Sequence, residues 1–189
     1  MSVTLTGGAQ RGRMLAVPDG VRPAMGKVRS ALFDSVRAAQ WGALEGAMVL
    51  DLACGGGTLA CEALSRGASR AALVDCASAA LATARDNLAR LGFTNRAQVF
   101  CIDSRTMTMA AAERPASLVF IDLPYDRQGA REGLLDAAQR AGWLVPQSVL
   151  CVLLPHKKAS AHTFPPETWV TRIDRRYGVT RLWIGHRTV

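Results

Sequence analysis

The 189-residue chain is predicted to form an α/β fold: a doubly wound, mostly parallel sheet of seven strands closed by an antiparallel C-terminal hairpin. Three observations lead there. Apolar runs of strand length alternate with stretches whose apolar residues recur at helical spacing, the pattern of strands and helices packed in layers. A glycine-rich turn stands directly between the first core run, Ala47 to Ala53, and the helix-like stretch after it. The last twenty-odd residues change character and alternate as two strands with no helix between them, which only antiparallel strands permit.

The elements are read in order. A short Thr/Val/Leu strand opens the chain, and a loop follows with Gly7, Gly8, Gly12 and Pro18 to Gly20. Val28, Ala31, Leu32, Ser35 and Val36 then predict a helix over Met25 to Gln40. After the strand Ala47 to Ala53, the glycine turn leads into a helix through Leu59, Ala63 and Leu64 that ends at Gly67. Ala71 to Asp75 is a strand, Ser78 to Leu91 a helix capped by Ser78 and closed by Gly92, and Ala97 to Ile102 a strand. Ser117 to Asp122 is a strand, Gly129 to Ala141 a helix closed by Gly142, and Ser148 to Leu154 a strand. Trp169 to Ile173 and Arg181 to Gly185 form the closing hairpin, joined through Arg175-Arg176-Tyr177-Gly178. No repeat or low-complexity linker divides the chain, so residues 1–189 are expected to form one domain, with 1–40 a basic N-terminal extension of it.

With 49% apolar and 20% charged residues, the composition is that of a globular protein. The longest apolar run, Val149 to Pro155, falls far short of the roughly 20 residues a membrane-spanning helix needs. The N-terminus lacks the charged start and apolar stretch of a secretory signal, so a cytoplasmic protein is expected, and a monomer. Five scattered cysteines, Cys54, Cys61, Cys76, Cys101 and Cys151, show no metal or disulfide spacing and are expected as small buried thiols. His156, His162 and His186 have no metal-ligand spacing, and no metal site is predicted. The net charge of +8 is uneven: residues 1–40 carry +4, 41–139 carry −2 and 140–189 carry +6. Twenty of the 23 cations are arginine, the side chain that forks onto phosphate and stacks on bases, which favours a nucleic-acid partner.

The turn Asp51-Leu52-Ala53-Cys54-Gly55-Gly56-Gly57 gives the unit a Rossmann-like character, because glycines let backbone amides and a helix N-terminus approach a ligand. Gly55-x-Gly57-x-x-Ala60 also satisfies a loose dinucleotide fingerprint. Asp51, however, stands where a pyrophosphate would be repelled and the ammonium of S-adenosylmethionine attracted. Asp75 ends the next strand and can accept ribose hydroxyls, while Asp103 follows the third and can accept from an adenine amino group. The expected cofactor-binding set is Asp51, Ala53, Cys54, Gly55, Gly57, Asp75, Cys76, Asp103 and Ser104, with S-adenosyl-L-methionine as cofactor.

A second turn, Asp122-Leu123-Pro124-Tyr125, ends the fourth core strand on the same sheet edge. An exocyclic amino group conjugated to a base is a weak nucleophile, and acceptors that hold its hydrogens activate it. Asp122 and the Leu123 carbonyl are the expected acceptors. Pro124 biases Leu123 towards extended backbone, and Tyr125 offers a ring on which a flipped base can stack. The expected chemistry is direct methyl transfer from sulfonium to nitrogen.

These motifs resemble the bacterial small-subunit rRNA guanine-N2 methyltransferases, of the class I S-adenosylmethionine-dependent fold. The resemblance runs nearly end to end: Gly12-Arg13, Arg22-Pro23, Val28-Arg29-x-x-Leu32-Phe33, Leu50-Asp51-Leu52 with its glycine turn, Glu62 to Ala68, Asn87-Leu88, the Asp-x-Pro-Tyr turn and Tyr177-Gly178-x-Thr180. It implies methylation of one guanine amino group in 16S rRNA, guanine-966, on an assembling small (30S) subunit. It also implies that the basic N-terminal segment holds RNA, with Arg13, Arg22, Lys27 and Arg29 as contacts. The family usually has Asp-Pro-Pro followed by Phe or Tyr, Ala-Gly-Ser-Gly in the cofactor turn, and Thr with an acidic residue after Arg-Pro. This chain has Leu123, Cys54-Gly55-Gly56-Gly57 and Ala24-Met25-Gly26 there. Three alternatives are a DNA adenine methyltransferase, which shares the catalytic turn, a catalytically weak RNA-binding assembly factor, and an NAD-dependent oxidoreductase. The first needs a target-recognition region for which the chain has no spare length, and the last lacks a Tyr-x-x-x-Lys pair.

Overall fold

A computed structural model describes residues 1–20, 26–38, 44–102, 109–124, 126–127, 129–156 and 167–188. Its elements are β1 (Ser2–Thr4), β2 (Met14–Ala16), α1 (Gly26–Ala38), β3 (Met48–Leu52), α2 (Thr58–Ser65), β4 (Arg70–Asp75) and α3 (Ser78–Arg90). A 3-10 turn (Thr94–Arg96), β5 (Ala97–Cys101), β6 (Ala116–Ile121), α4 (Ala130–Arg140), β7 (Leu144–Pro155), β8 (Trp169–Tyr177) and β9 (Thr180–Arg187) complete them.

Seven strands form one sheet in the order β5-β4-β3-β6-β7-β9-β8. β5 through β7 are parallel, while β9 runs antiparallel to both β7 and β8. The chain winds outward from β3 to β5 and then returns to the other side of β3 to begin β6. The order therefore reverses between β3 and β6, and their carboxyl ends border the crevice where open α/β sheets bind ligands.

Alternation along the strands divides the core in two. Val49, Leu73, Phe120 and Cys151 join a cluster with α1, α2 and α3, and Leu50, Val74, Ile121 and Val152 join one with α4. Asp51 shares the face of Val49 and so meets α2, which explains how a carboxylate lies inside an apolar strand. Phe33 of α1 seats edge-to-face on Phe120, with centroids 5.5 Å apart.

β1 and β2 form a small antiparallel ladder outside the large sheet, and Leu5 and Leu15 sink into the cluster on the α2 side. A buried carboxylate fastens them. Glu62 of α2 accepts from the Thr6 amide (3.0 and 2.9 Å), the Thr6 hydroxyl (2.7 Å) and Arg66 Nε (2.9 Å). Arg29 of α1 lies 3.8 Å from the same carboxylate and donates to the Thr4 carbonyl at 2.6 Å. Ser65 donates to the Gly7 carbonyl and accepts from the Gln10 amide. A Cβ at Gly8, whose φ is +79°, would overlap the Ser65 carbonyl, so this docking requires glycine.

Several sequence expectations need adjusting. Ser78 is the first residue of α3 and not its cap; the N-cap is Ala77, which has no side chain to serve, and its amide donates to Asp75. β7 starts at Leu144 and not Ser148 because it bulges, with Gln147 at φ +72° and the Ser148 hydroxyl bridging the Val145 amide and the Ala116 carbonyl. Arg175 to Tyr177 belong to β8, which leaves only Gly178 and Val179 for the turn.

Glu62→Ala would leave Arg29 buried without its counter-charge and free the Thr6 donors. A loss on the order of 3–5 kcal/mol is expected in urea unfolding, with faster amide exchange at residues 5–10.

Candidate active site

The turn after β3 is built from left-handed backbone. Ala53, Gly55 and Gly57 have φ of +58°, +54° and +73°. Gly57 has a second reason to lack a side chain, since its Cβ would lie 2.6 Å from Leu73 Cδ2. The Cys54 amide donates to the Val74 carbonyl (3.0 Å) and the Gly57 amide to the Cys54 carbonyl (2.8 Å). Asp75 accepts from the Gly55 amide at 2.8 Å and the Ala77 amide at 2.9 Å. It thus holds the turn it ends beside, and a carboxylate's four lone-pair sites leave capacity for two hydroxyls.

Asp51 is 1% exposed and accepts from the Ala60 amide in the first turn of α2 at 3.0 Å. Burial pushes its carboxyl up to about 8, against the pull of that hydrogen bond, and the charges of Asp122 and Asp75 add to the rise. The registers explain this coupling. Leu52 lies between Val74 and Ile121, so Asp75 and Asp122, the next residues of the two flanking chains, border the turn that begins at Ala53. Three carboxylates around one turn make a site for a cationic ligand bearing hydroxyls and a poor one for a pyrophosphate.

On the other side of the turn, Asp122 is half-buried and Pro124 exposed, and the Pro124 carbonyl accepts from the Arg127 amide at 2.9 Å. Leu123 is buried in the α4-side core with Leu134 and Leu135, so the residue that departs from the family pattern fills apolar space. Tyr125, Asp103, Ser104 and Arg22 lie outside the described residues.

The structure brings Asp51, Ala53, Cys54, Gly55, Gly57, Asp75, Cys76, Asp122, Leu123 and Pro124 to one sheet edge. It does not bring Arg29 there as an RNA contact. That guanidinium is 2% exposed and bound to Glu62 and Thr4, because the face of α1 that carries it is the packed one. Arg13 and Lys27 are exposed. Among the cysteines, Cys61 and Cys151 are buried and Cys54 half-buried, whereas Cys76 and Cys101 are exposed. They stand where β4 and the edge strand β5 run out into solvent. Among the described residues, no group of three His, Cys, Asp or Glu side chains is placed to hold a metal ion.

Asn87 carries a role that spacing alone missed. Fully buried on α3, it accepts from the Ala16 amide (2.9 Å) and donates to the carbonyls of Ala16 (2.8 Å) and Gly56 (2.9 Å). It clamps β2 to the glycine turn, with Pro18 lying so close that a Cβ at Gly56 would come within 2.9 Å of it. The signal was an amide on the apolar stripe Ala80, Leu81, Ala84 and Leu88.

Because its folded-state value is raised, Asp51 keeps a proton between about pH 4 and 8 that the unfolded chain has lost. Its contribution to stability therefore falls as pH rises through that window, by up to about 1.4 kcal/mol per pH unit. In urea unfolding across this range, Asp51→Asn should be the less pH-dependent protein and the more stable one near pH 8.

A family model described as Conserved hypothetical protein 95 matches residues 3–186. Ribosomal RNA small subunit methyltransferase D of Escherichia coli K12 is 35% identical over 153 residues, 79% of this chain and 73% of that protein. The solved structure of yhhF from Escherichia coli superposes with a TM-score of 0.80 at 27% identity, covering 100% of this chain and 99% of that one. An RNA methyltransferase from Salinibacter ruber, solved with S-adenosyl-L-homocysteine, shares the fold at a TM-score of 0.61 and 13% identity, covering 88% of this chain and 94% of that one. No helix among the described residues is long and apolar enough to cross a membrane. The match over nearly the whole chain, the curated relative and the seven-stranded fold agree: the chain is a class I methyltransferase of the Conserved hypothetical protein 95 family, to which ribosomal RNA small subunit methyltransferase D belongs.

Proposed function

We propose that this protein transfers a methyl group from S-adenosyl-L-methionine to the exocyclic amino group of a guanine in 16S rRNA, guanine-966, during small-subunit assembly in the cytoplasm. The carrying observation is the trio of Asp51, Asp75 and Asp122 around the glycine turn, at the point where the strand order reverses. Residues 1–189 act as one catalytic unit, because the N-terminal ladder closes over the cofactor turn through Asn87.

The donor set fits the cofactor by charge. Asp51 and its neighbours would draw the cationic amino acid end, Asp75 the ribose hydroxyls, and the Gly55 and Gly57 backbone would allow close approach; Ala53, Cys54 and Cys76 line the same turn. The bound group supplies a methyl on a sulfonium, a leaving group that needs no protein acid. What remains for the protein is the amino group. Asp122 and the Leu123 carbonyl accept its two hydrogens, which opposes conjugation with the ring and turns the nitrogen lone pair outward. Tyr125 stacks on the base, and Pro124 limits the backbone of Leu123. A proton leaves the nitrogen after it gains the methyl, and Asp122 would accept it. Asp103 and Ser104 would serve the adenine, and Arg13, Arg22 and Lys27 the RNA.

The test is transfer of labelled methyl to small subunits from a strain lacking its own enzyme. Label on a guanine amino group is expected, reduced at least 100-fold in Asp122→Ala while cofactor binding persists. Equal transfer by Asp122→Ala would overturn the role given to this residue. Transfer to DNA and not RNA would overturn the substrate.

A further inference from the structure

A groove of about 550 Å³ lies between α1 and the edge strand β8, away from the cofactor turn. Ala31 and Ser35 keep the helix wall low, Tyr177 lines the other side, and Arg172 and Arg175 border it. Both arginines are exposed and Tyr177 is half-buried. Asp34 also borders the groove, but Arg37 and Arg66 lie within 3.9 Å of its carboxylate and offset its charge. Arg172 Nε donates to His186 Nδ1 at 2.9 Å, which pins one guanidinium at the rim.

The registers say where this groove faces. Ile121 lies beside Val152, Val152 beside Trp183 and Trp183 beside Asp174. One residue on, Asp122 is therefore level with Leu153, Leu182 and Arg175, and Pro155 and Thr180 lead to Tyr177 two rows further along. Arg175 and Tyr177 thus stand on the same sheet edge as the catalytic turn, with the Arg175 backbone three strand spacings or about 14 Å from that of Asp122 and Tyr177 two residues beyond. Arginine beside an aromatic ring suits a single-stranded nucleotide, with its phosphate on the guanidinium and its base on the ring. The volume suits one too.

We propose that the α1/β8 groove is a second RNA subsite, which holds a nucleotide flanking the target guanine through Arg172, Arg175 and Tyr177. The inference rests on the RNA methyltransferase reading and deepens it. It also gives Tyr177, part of a family-like motif with no part in the catalytic turn, a place in function. Arginines on an edge strand also discourage edge-to-edge pairing, and that role is the competing account.

The experiment measures binding of a fluorescein-labelled single-stranded RNA to the full chain over a range of salt, alongside methyl transfer to small subunits. Arg172→Gln/Arg175→Gln should weaken binding roughly tenfold and lower the salt slope by about 1.4, two phosphates' worth, with the affinity for S-adenosylmethionine and the thermal midpoint unchanged. Tyr177→Phe should bind as wild type. Arg114→Gln/Arg140→Gln removes the same charge from exposed positions elsewhere and should leave the slope nearly unaltered. Equal salt slopes for wild type and the groove variant would overturn the subsite and leave the arginines their edge role; so would an equal loss in the Arg114/Arg140 control. Groove-dependent binding by a wild type that methylates no RNA would uphold the subsite and sink the enzymatic reading instead. Methyl transfer with the same KM in wild type and groove variant would do the reverse.

Discussion

The carboxylate of Glu62 is the constraint on which the rest of the molecule leans. Fully buried, it takes two donors from Thr6, one from Arg66 and the charge of Arg29, so three separate pieces of chain meet on one side chain. A buried charge is costly unless its partners are all in place. That cost makes the arrangement nearly all-or-none: α1, the residues around Gly7 and α2 are held together or not at all. Arg66 adds a cation-π contact 4.9 Å above Phe33, which itself packs on Phe120 of β6. The mechanical path from the N-terminal ladder to the strand bearing Asp122 is therefore a short one.

The cofactor edge obeys the opposite rule. Carboxylates gather there, and Asp51 titrates high, chiefly because it is buried and further because Asp122 and Asp75 are charged beside it. The protein tolerates this because the sheet and the first turn of α2 fix the geometry independently of charge. A site so arranged is set up to welcome a cation and to gain by it. Fold stability and ligand affinity draw on the same repulsion with opposite signs.

Much of this was legible in the residues. Among the described residues, periodicity and glycine placement revealed every strand of the large sheet and the helices α1 to α4, because those signals are local. Asp51 and Asp75, near the ends of successive strands, pointed to one edge because parallel strands end on the same side of a sheet; Asp103, read with them, lies outside the described residues. What escaped was non-local. Arg29 reads as an RNA contact on α1, and nothing near it reveals that Glu62, 33 residues later, draws it inside. Ser78 reads as a cap because serine usually is one, yet the helix already includes it and Ala77 takes the cap position. The cysteines read as buried by type, but Cys76 and Cys101 sit where the sheet ends.

The Asn87 clamp bears on the order in which the molecule can assemble. Ala16 finds its partner 71 residues downstream, and Thr6 its own 56 downstream. The segment around Thr6 and Ala16 is thus made before the helices it docks on, and waits until α2 and α3 have been made and packed. Until then Leu5 and Leu15 have no core to enter, and the glycine turn has no cover. The chain acquires a finished cofactor edge only when this earlier segment returns to close it, and the site is whole only after β6 and Asp122, further along still, have been made.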